Sequence, residues 1–415
     1  MNINYYATTI LIYIFYFFVF FPYITPVETP FDTQIYALFF GIIIFLFFGS
    51  NKIPRPLFIL SIVFIFSVVL FQVSDLSLRS ARSMTNYISI FFISCATYKI
   101  LKRGNDINIY FMTFVVICWL IVGVVQLFIY PDFMIFFLSR ADGLAEHGRG
   151  VLSLATEPTY YGFMCFFMIF FLFHYKQEKN ISINMNYLNI KLNIDLKKIL
   201  IFLLVIQIFF IAKSTAVILV FAGIGFVYLL QFLNFKKALN IILLLGLLLI
   251  LQDLFFSYFQ GSRFLNFFTA LIENPVELIL SDRSLNARLS HVVLSITTSF
   301  ENYLMPHGYN NIDHILRALI NSDIFMLNKD SYPLRIMCTY GATLYEMGFI
   351  GLIIPIIFNI ALWNYHKKLK PFILSSTALN LALLNAVPLA LPILGFILGY
   401  TMYVGEWPNK LTRGN

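Results

Sequence analysis

The sequence predicts an all-α, polytopic integral membrane protein with about 12 transmembrane helices and a large outer loop that contains amphipathic helices. The first observation is the composition. The mean hydropathy is +0.83, and 48 of the 415 residues are phenylalanine while only 12% are charged, which excludes an ordinary soluble domain. The second is the repeated occurrence of apolar stretches of about 20 residues, long enough to cross a hydrocarbon core about 30 Å thick. We therefore expect residues 1–415 to form a single polytopic membrane domain.

The predicted spans follow these apolar stretches along the chain. They are residues 6–22, 34–50, 56–72, 84–101, 110–130, 158–175, 199–212, 214–233, 238–258, 338–362, 372–387 and 390–405. The first has no basic segment before it and no small-residue cleavage site, so we expect a retained helix rather than a signal peptide. In the last span, the four-residue spacing of Gly395 and Gly399 predicts close helix packing.

Positive charge predicts the orientation of these spans. With the N-terminus inside, the short inner segments hold most of the 28 lysines and arginines, as cytoplasmic loops do. These residues are Lys52, Arg55, Lys99, Lys102, Arg103, Lys176, Lys179, Lys191, Lys197, Lys198, Lys236, Lys237, Lys367, Lys368, Lys370, Lys410 and Arg413. Both termini are then cytoplasmic. The net charge of +8 reflects this topology rather than nucleic-acid binding, because no basic stripe is present.

The outer segment 131–157 ends in a dense polar patch between two apolar stretches. It holds Arg140, Asp142, Glu146, His147, Arg149 and Glu157. Thr156-Glu157-Pro158 predicts a helix start, where Thr or Glu caps free amides and Pro fits the first turn. Because helix starts carry exposed N–H groups and guanidinium groups match phosphate oxygens, we expect an anion site here.

Another cation, Lys213, follows an unusually short apolar stretch. Residues 199–212 would form a helix of about 21 Å, which is shorter than the hydrocarbon core. The turn at Lys213-Ser214-Thr215 would then lie in a polar cavity, with Lys213 placed for a lipid pyrophosphate. The alternative is a lysine whose amine extends to the membrane interface.

The long outer segment, 259–337, has too little apolar sequence for another span. Helical spacing predicts two amphipathic helices in it, 285–300 and 311–321. Arg288 and His291 fall on the polar face of the first, and His314 falls on the polar face of the second. Pro306-His307-Gly308 predicts a turn between them. Such helices would lie along the membrane surface and cover a cavity.

Two groups of residues resemble a known family. Arg149-Gly150, followed by Glu157-Pro158-Thr159 at the start of an aromatic-rich helix, resembles the O-antigen polymerase (Wzy-type) family, in which serine is commoner at the position of Thr159. Arg288 followed by the turn 306–308 is similar to the second large periplasmic loop of O-antigen polymerases and ligases.

The following helix extends the resemblance. Glu346, then Gly348 and Gly351, resembles the family's next membrane helix, so the motifs together cover roughly residues 140–352. The spans before residue 131 match only in being hydrophobic.

The resemblance implies a reaction. A growing glycan linked to undecaprenyl pyrophosphate would be transferred onto a lipid-linked repeat unit of O-antigen or capsule, in the bacterial inner (plasma) membrane. It implies no cofactor or metal ion. The implied partners are the lipid-linked oligosaccharide, the bilayer, a chain-length regulator and a flippase, with no nucleic acid.

That reaction needs cations for the pyrophosphate and a base for the attacking hydroxyl. The candidate cations are Arg149 and Arg288, with Arg140 and Lys213 behind them. The candidate catalytic residues are His291, Glu157 and His314, with Glu346 as a further substrate-binding group.

Each candidate also has a structural interpretation that involves no chemistry. The arginines would make loop ion pairs or headgroup contacts, and His291 would be a solvated residue of a surface helix. Glu157 would only cap its helix, and Glu346 would only form hydrogen bonds within the bundle.

Two other functions compete with a polymerase. Related ligases place a His-Asn pair before the helix of Glu346, where this chain has residues 328–332, NKDSY, so the ligase base cannot be carried over. A polysaccharide flippase or other transporter would have short loops, broken helices in corresponding halves and several intramembrane charges.

Metal and nucleotide chemistry have no motif to support them in this sequence. Cys95, Cys118, Cys165 and Cys338 lie in or beside apolar stretches, and we expect them to be packing residues.

Overall fold

A computed structural model describes most of the chain. The described residues are 3–25, 33–49, 53–71, 78–138, 150–176, 183–185, 190–192, 195–232, 270, 273–281, 283–309, 311–312, 315, 336, 338–385 and 387–406. In these residues the regular elements are helices apart from one short β-hairpin, which confirms the all-α class.

The helices and strands follow one another along the chain. They are α1 (Ile3–Phe20), α2 (Tyr36–Phe47), α3 (Arg55–Phe71), α4 (Leu78–Lys102), α5 (Ile109–Phe128), α6 (Pro158–His174), β1 (Ile183–Met185), β2 (Ile190–Leu192), α7 (Leu196–Ile206), α8 (Thr215–Phe232), α9 (Pro275–Ser281), α10 (Arg283–Glu301), α11 (Thr339–Met347), α12 (Ile353–His366), α13 (Leu369–Leu383) and α14 (Pro392–Glu406). A π-helix, Gln207–Ala212, continues α7, and 3-10 helices cover Ile135–Phe137 and Gly348–Leu352. The two strands pair antiparallel, with Asn184 opposite Lys191.

The helices occupy the predicted spans. Every predicted span contains a helix except 238–258, which lies outside the described residues. Among the described residues, two helical stretches are long and apolar enough to cross a membrane, Ile109–Phe128 and Thr339–His366. The remaining apolar helices, such as Pro158–His174, are shorter.

Helix α6 lies at the centre of the fold. Nearly all of its residues are buried, on every side of the helix, as expected of a helix that is hydrophobic all round. Phe171 packs edge-on against Phe396 and Tyr400, with ring centroids 5.1 and 5.0 Å apart. Because α6 is fixed on all sides, the polar residues at its start have a rigid support.

The predicted glycine packing in the last span is confirmed. A Cβ at Gly399 would overlap the carbonyl oxygen of Ser94 in α4, and one at Gly395 would lie 2.9 Å from Ile93. Ser94 also donates a hydrogen bond to the carbonyl of Gly395 at 2.9 Å. The small residues therefore let α4 and α14 approach closely.

Helix α10 spans the predicted amphipathic helix 285–300 and turns its polar face inward. His291 and Ser295 are buried, whereas Val293 and Phe300 are 38% and 61% exposed. At Gly341 of α11 a Cβ would overlap the Ser295 hydroxyl, so α10 and α11 are in close contact. A helix in water buries its apolar face instead.

The second predicted helix, 311–321, lies almost entirely outside the described residues.

The predicted span 338–362 coincides with the apolar stretch Thr339–His366, but the α-helix is interrupted between α11 and α12 by the 3-10 helix Gly348–Leu352. Gly348 has φ +63°, and a Cβ there would overlap the carbonyl oxygen of Leu304. In a continuous α-helix the amide of Phe349 would donate to the carbonyl of Tyr345. Here the turn 303–309 satisfies both groups: Leu304 accepts from Phe349 at 2.9 Å, and the amide of His307 donates to Tyr345 at 3.0 Å.

All four cysteines are free thiols. Cys95, Cys165 and Cys338 are buried and Cys118 is half-buried, as expected of packing residues.

Candidate functional site

The site forms around the start of α6, residues 157–159. Glu157 is the extended N-cap residue and Pro158 is the first helical residue, as the sequence predicts. The Glu157 side chain makes no capping hydrogen bond and is exposed. The carboxylate is therefore presented at the surface rather than used to close the helix.

A buried polar network holds the segment that leads to this helix start. Ser153 has φ +50°, and its amide donates to the Gln126 side-chain oxygen at 2.6 Å. The Gln126 amide group donates back to the Ser153 carbonyl at 3.0 Å. The Ser153 hydroxyl donates to the carbonyl of Trp119 at 2.7 Å. These bonds tie residues 150–156 to α5, which fixes where α6 begins.

Gly150 brings the same segment against the end of the π-helix. A Cβ at this position would overlap the backbone carbonyl of Ala212. The neighbouring amide of Val151 donates to the Ile211 carbonyl at 3.1 Å. The glycine of the Arg149-Gly150 pair is thus required by a close backbone approach, whereas Arg149 itself lies outside the described residues.

The predicted turn after residue 212 is present. Lys213 ends the π-helix in a left-handed conformation, and α8 begins at Thr215. The Lys213 side chain is exposed. Next to it, Ser214 packs on α6, where a Cβ at Gly162 would lie 2.6 Å from the serine Cβ. This arrangement holds Lys213 beside the first turns of α6, and π-helices of this kind are frequent at functional sites.

Arg288 contacts the α6 start directly. Its Nη2 donates a hydrogen bond to the Thr159 hydroxyl at 2.9 Å, and the side chain is half-buried. The Tyr160 hydroxyl lies within electrostatic reach of both Arg288 and Glu157. Arg288 and the Glu-Pro-Thr helix start therefore belong to one site.

His291 is buried rather than solvated, so the interpretation of a solvated surface histidine is wrong. Only 2% of its surface is exposed, and its backbone carbonyl lies 3.2 Å from the position of a Cβ at Gly341. Its Nδ1 has no hydrogen-bond partner among the described residues. Burial lowers the pKa of His291 to about 4, so the imidazole is neutral at pH 7.

Glu346, near the end of α11, is also buried. Ser83 of α4 donates to Oε1 at 2.7 Å, and Tyr87 donates to Oε2 at 2.6 Å. The tyrosine is fixed in turn by Tyr309, whose ring centroid is 5.4 Å away and whose hydroxyl is 2.5 Å from that of Ser67. Glu346 thus forms the hydrogen bonds within the bundle that the sequence suggested.

Glu346 also faces a cavity. This Glu346 cavity is small and opens to the surface. Its polar lining residues are Ser83, Asn86, Tyr87, Tyr160, Thr339 and Thr343. Tyr160 forms part of the wall and directly follows Thr159, the residue that Arg288 contacts, so the cavity and the α6 start are neighbours.

The remaining predicted site residues lie outside the described residues. They are Arg140, Arg149 and His314.

Sequence reasoning missed Ser83 and Tyr87, which donate hydrogen bonds to the Glu346 carboxylate. In the sequence, Ser80, Ser83 and Tyr87 recur at helical spacing, which places three polar side chains on one face of α4. All three are buried in the structure.

Comparison with known proteins gives no assignment for this site. Neither a family model nor a curated protein matches the sequence.

Proposed function

We propose that this chain is a membrane-embedded polymerase of polysaccharide repeat units. It transfers a growing glycan from undecaprenyl pyrophosphate onto a lipid-linked repeat unit of O-antigen or capsule. The observation that carries the proposal is the hydrogen bond from Arg288 to Thr159. It joins the two segments that separately resemble O-antigen polymerases, the outer arginine and the Glu-Pro-Thr helix start.

Three features support a membrane-spanning protein. Two helical stretches have the required length and composition, Ile109–Phe128 and Thr339–His366. Large apolar side chains face outward, with Phe47 and Phe128 each 77% exposed, an arrangement that hydrocarbon accommodates and water does not. The apolar face of α10 also points away from the protein. In this proposal about twelve spans cross the bacterial inner membrane and both termini are cytoplasmic.

The chemistry follows from the charges around the α6 start. As the sugar leaves its carrier, negative charge develops on the pyrophosphate, and donors already in place stabilise that charge. A guanidinium has five N–H donors in a fixed fork, so Arg288 has the capacity to hold Thr159 and a phosphate oxygen together. The N–H groups of the helix start add a further positive end.

A deletion strain tests the proposal. Loss of the protein should leave single repeat units on the lipid carrier or anchor and abolish long surface polymer, as seen by gel electrophoresis of the polysaccharide. Repeat units that accumulate on the cytoplasmic face would instead indicate a flippase. Free long polymer without its final acceptor would indicate a ligase.

The proposed partners follow from the reaction. A flippase supplies the lipid-linked repeat unit to the outer face, and a chain-length regulator limits how often the transfer is repeated. The reaction as proposed uses the charges of the protein alone, with no cofactor.

A further inference from the structure

Glu346 differs from every other carboxylate in the described part of the chain. Only 7% of its surface is exposed, whereas the other aspartates and glutamates described are exposed or half-buried. Removing a carboxylate from water is unfavourable unless hydrogen bonds replace the lost solvent. Two hydroxyl donors do so here, one on each oxygen, from Ser83 and Tyr87. Both oxygens of this buried carboxyl group are therefore held by specific hydrogen bonds.

The surroundings of Glu346 suit a ligand with hydroxyl groups. The cavity combines a carboxylate, the side-chain amide of Asn86, threonine hydroxyls and two tyrosines. Among the described residues that line it, Glu346 is the only side chain besides the tyrosines that ionises. Carboxylates accept hydrogen bonds from hydroxyls, and aromatic rings pack against apolar C–H surfaces.

The cavity also has a defined position relative to the anion site. Tyr160 lines it, and the preceding residue, Thr159, holds Arg288. A donor whose pyrophosphate is bound by Arg288 and whose sugar points towards Tyr160 would have that sugar beside the cavity. An acceptor sugar in the cavity would meet the donor at that boundary.

We propose that Glu346 is the base that takes the proton from the attacking hydroxyl of the acceptor sugar. This inference rests on the proposed function. The hydroxyl oxygen forms a bond to the anomeric carbon of the donor while the bond from that carbon to the pyrophosphate oxygen breaks. The electron pair leaves with the pyrophosphate, and the hydroxyl proton moves to the Glu346 carboxylate.

The alternative base on α10, His291, fits this role less well. It is buried against α11, with its backbone beside Gly341. It is not among the described residues that line the Glu346 cavity. Its pKa, lowered to about 4 by burial, also makes the imidazole a weak proton acceptor.

Glu346→Gln tests the proposal on the full-length protein purified into lipid nanodiscs. The probe is the lipid-linked oligosaccharide that accumulates in cells lacking the protein. We expect Glu346→Gln to slow glycan elongation about 100-fold or more while the protein still retains the bound probe. Arg288→Ala should instead lose the bound probe. Glu346→Asp, which keeps the charge one methylene further back, should recover part of the rate.

Tyr87→Phe tests the carboxylate without removing it. The Tyr87 hydroxyl donates to Oε2 of Glu346 at 2.6 Å, so its loss should change the acidic limb of the pH–rate profile if this carboxylate takes the proton. Tyr98→Phe is the matched control, because it removes another phenol–carboxylate bond from α4, to Glu406 at 2.5 Å, at a site outside the cavity. Its profile should match that of the wild type.

The possible outcomes separate the two proposals. Elongation by Glu346→Gln within twofold of the wild type would overturn the role of Glu346 and leave the polymerase intact. A wild-type protein that does not elongate the probe would overturn the polymerase itself. If Glu346→Gln does not fold, Tyr87→Phe decides: a profile identical to that of Tyr98→Phe would overturn the role of Glu346.

Discussion

The Nη2 atom of Arg288 lies 2.9 Å from the hydroxyl oxygen of Thr159, although 129 positions separate the two residues in the chain. This contact brings α10 onto the start of α6. It makes the guanidinium part of a rigid support rather than a mobile surface charge. The effect of changing Arg288 therefore reports directly on the proposed anion site.

Arg288→Ala is expected to abolish long polymer while the protein level stays normal. Arg288→Lys should recover only part of the polymer, because an ammonium restores the charge but not the planar fork that binds two oxygens. Polysaccharide gels and immunoblots of membranes provide the two measurements. Arg55→Ala is the matched control, since Arg55 is exposed at the start of α3. Polymer of normal length and amount in Arg288→Ala cells would exclude Arg288 from the site.

Gly150→Ala should disrupt the approach of residues 150–156 to the π-helix. The added Cβ would overlap the Ala212 carbonyl, and overpacking of this kind destabilises a protein by about 1–3 kcal/mol. We expect a lower melting temperature and less polymer. At Gly225 in α8 a Cβ meets nothing within 4 Å, so Gly225→Ala should be neutral or slightly stabilising. Equal melting of the two variants would contradict the close approach.

The stability of the protein should depend on pH through His291. Burial lowers its pKa to about 4, whereas the unfolded chain has the ordinary value of about 6.5. The unfolded state then binds more protons below pH 6.5, so stability is complete above that pH and falls as the pH drops towards 4. The part of the loss between pH 7 and pH 5 that is due to His291 should be about 2 kcal/mol.

Thermal melting in detergent at the two pH values measures this loss. His291→Gln is neutral at both values and should show a smaller difference between them. The same pH dependence in variant and wild type would show that another group is responsible.

Reporter fusions test the proposed topology. Fusions at His147, Asn189 and Asn310 should read outside, inside and outside, because positive residues concentrate in the segments assigned to the cytoplasm. A cytoplasmic reading at Asn310 would contradict the number of spans that precede it.

The positions of the helices could be predicted because each depends on a local apolar stretch. The turn at Lys213 and the proline at the first position of α6 were predictable for the same reason, since both follow from neighbouring residues. The pairing of Glu346 with Ser83 and Tyr87 was not. Those partners lie more than 250 positions away in the chain, and no local pattern carries such a contact.

The orientation of α10 was predictable only in part. Helical spacing identified an apolar face and a polar face, and both are present. Periodicity does not determine which face meets the rest of the protein, because that depends on the solvent around the helix. In the folded chain, the contact between Ser295 and Gly341 shows that the polar face of α10 packs against α11. The burial of His291 follows from that contact.

The helix break after Glu346 links two parts of the molecule through a single pair of backbone groups. The carbonyl of Tyr345 and the amide of Phe349 are satisfied by the turn 303–309, and in an uninterrupted helix they would satisfy each other. The Phe349 amide has a single hydrogen to donate, which goes either to Leu304 or to the Tyr345 carbonyl, so helix continuity and the docked turn 303–309 exclude one another. Withdrawal of that turn would remove both hydrogen bonds, and the backbone next to Glu346 would change shape if residues 345–349 then closed into a helical turn.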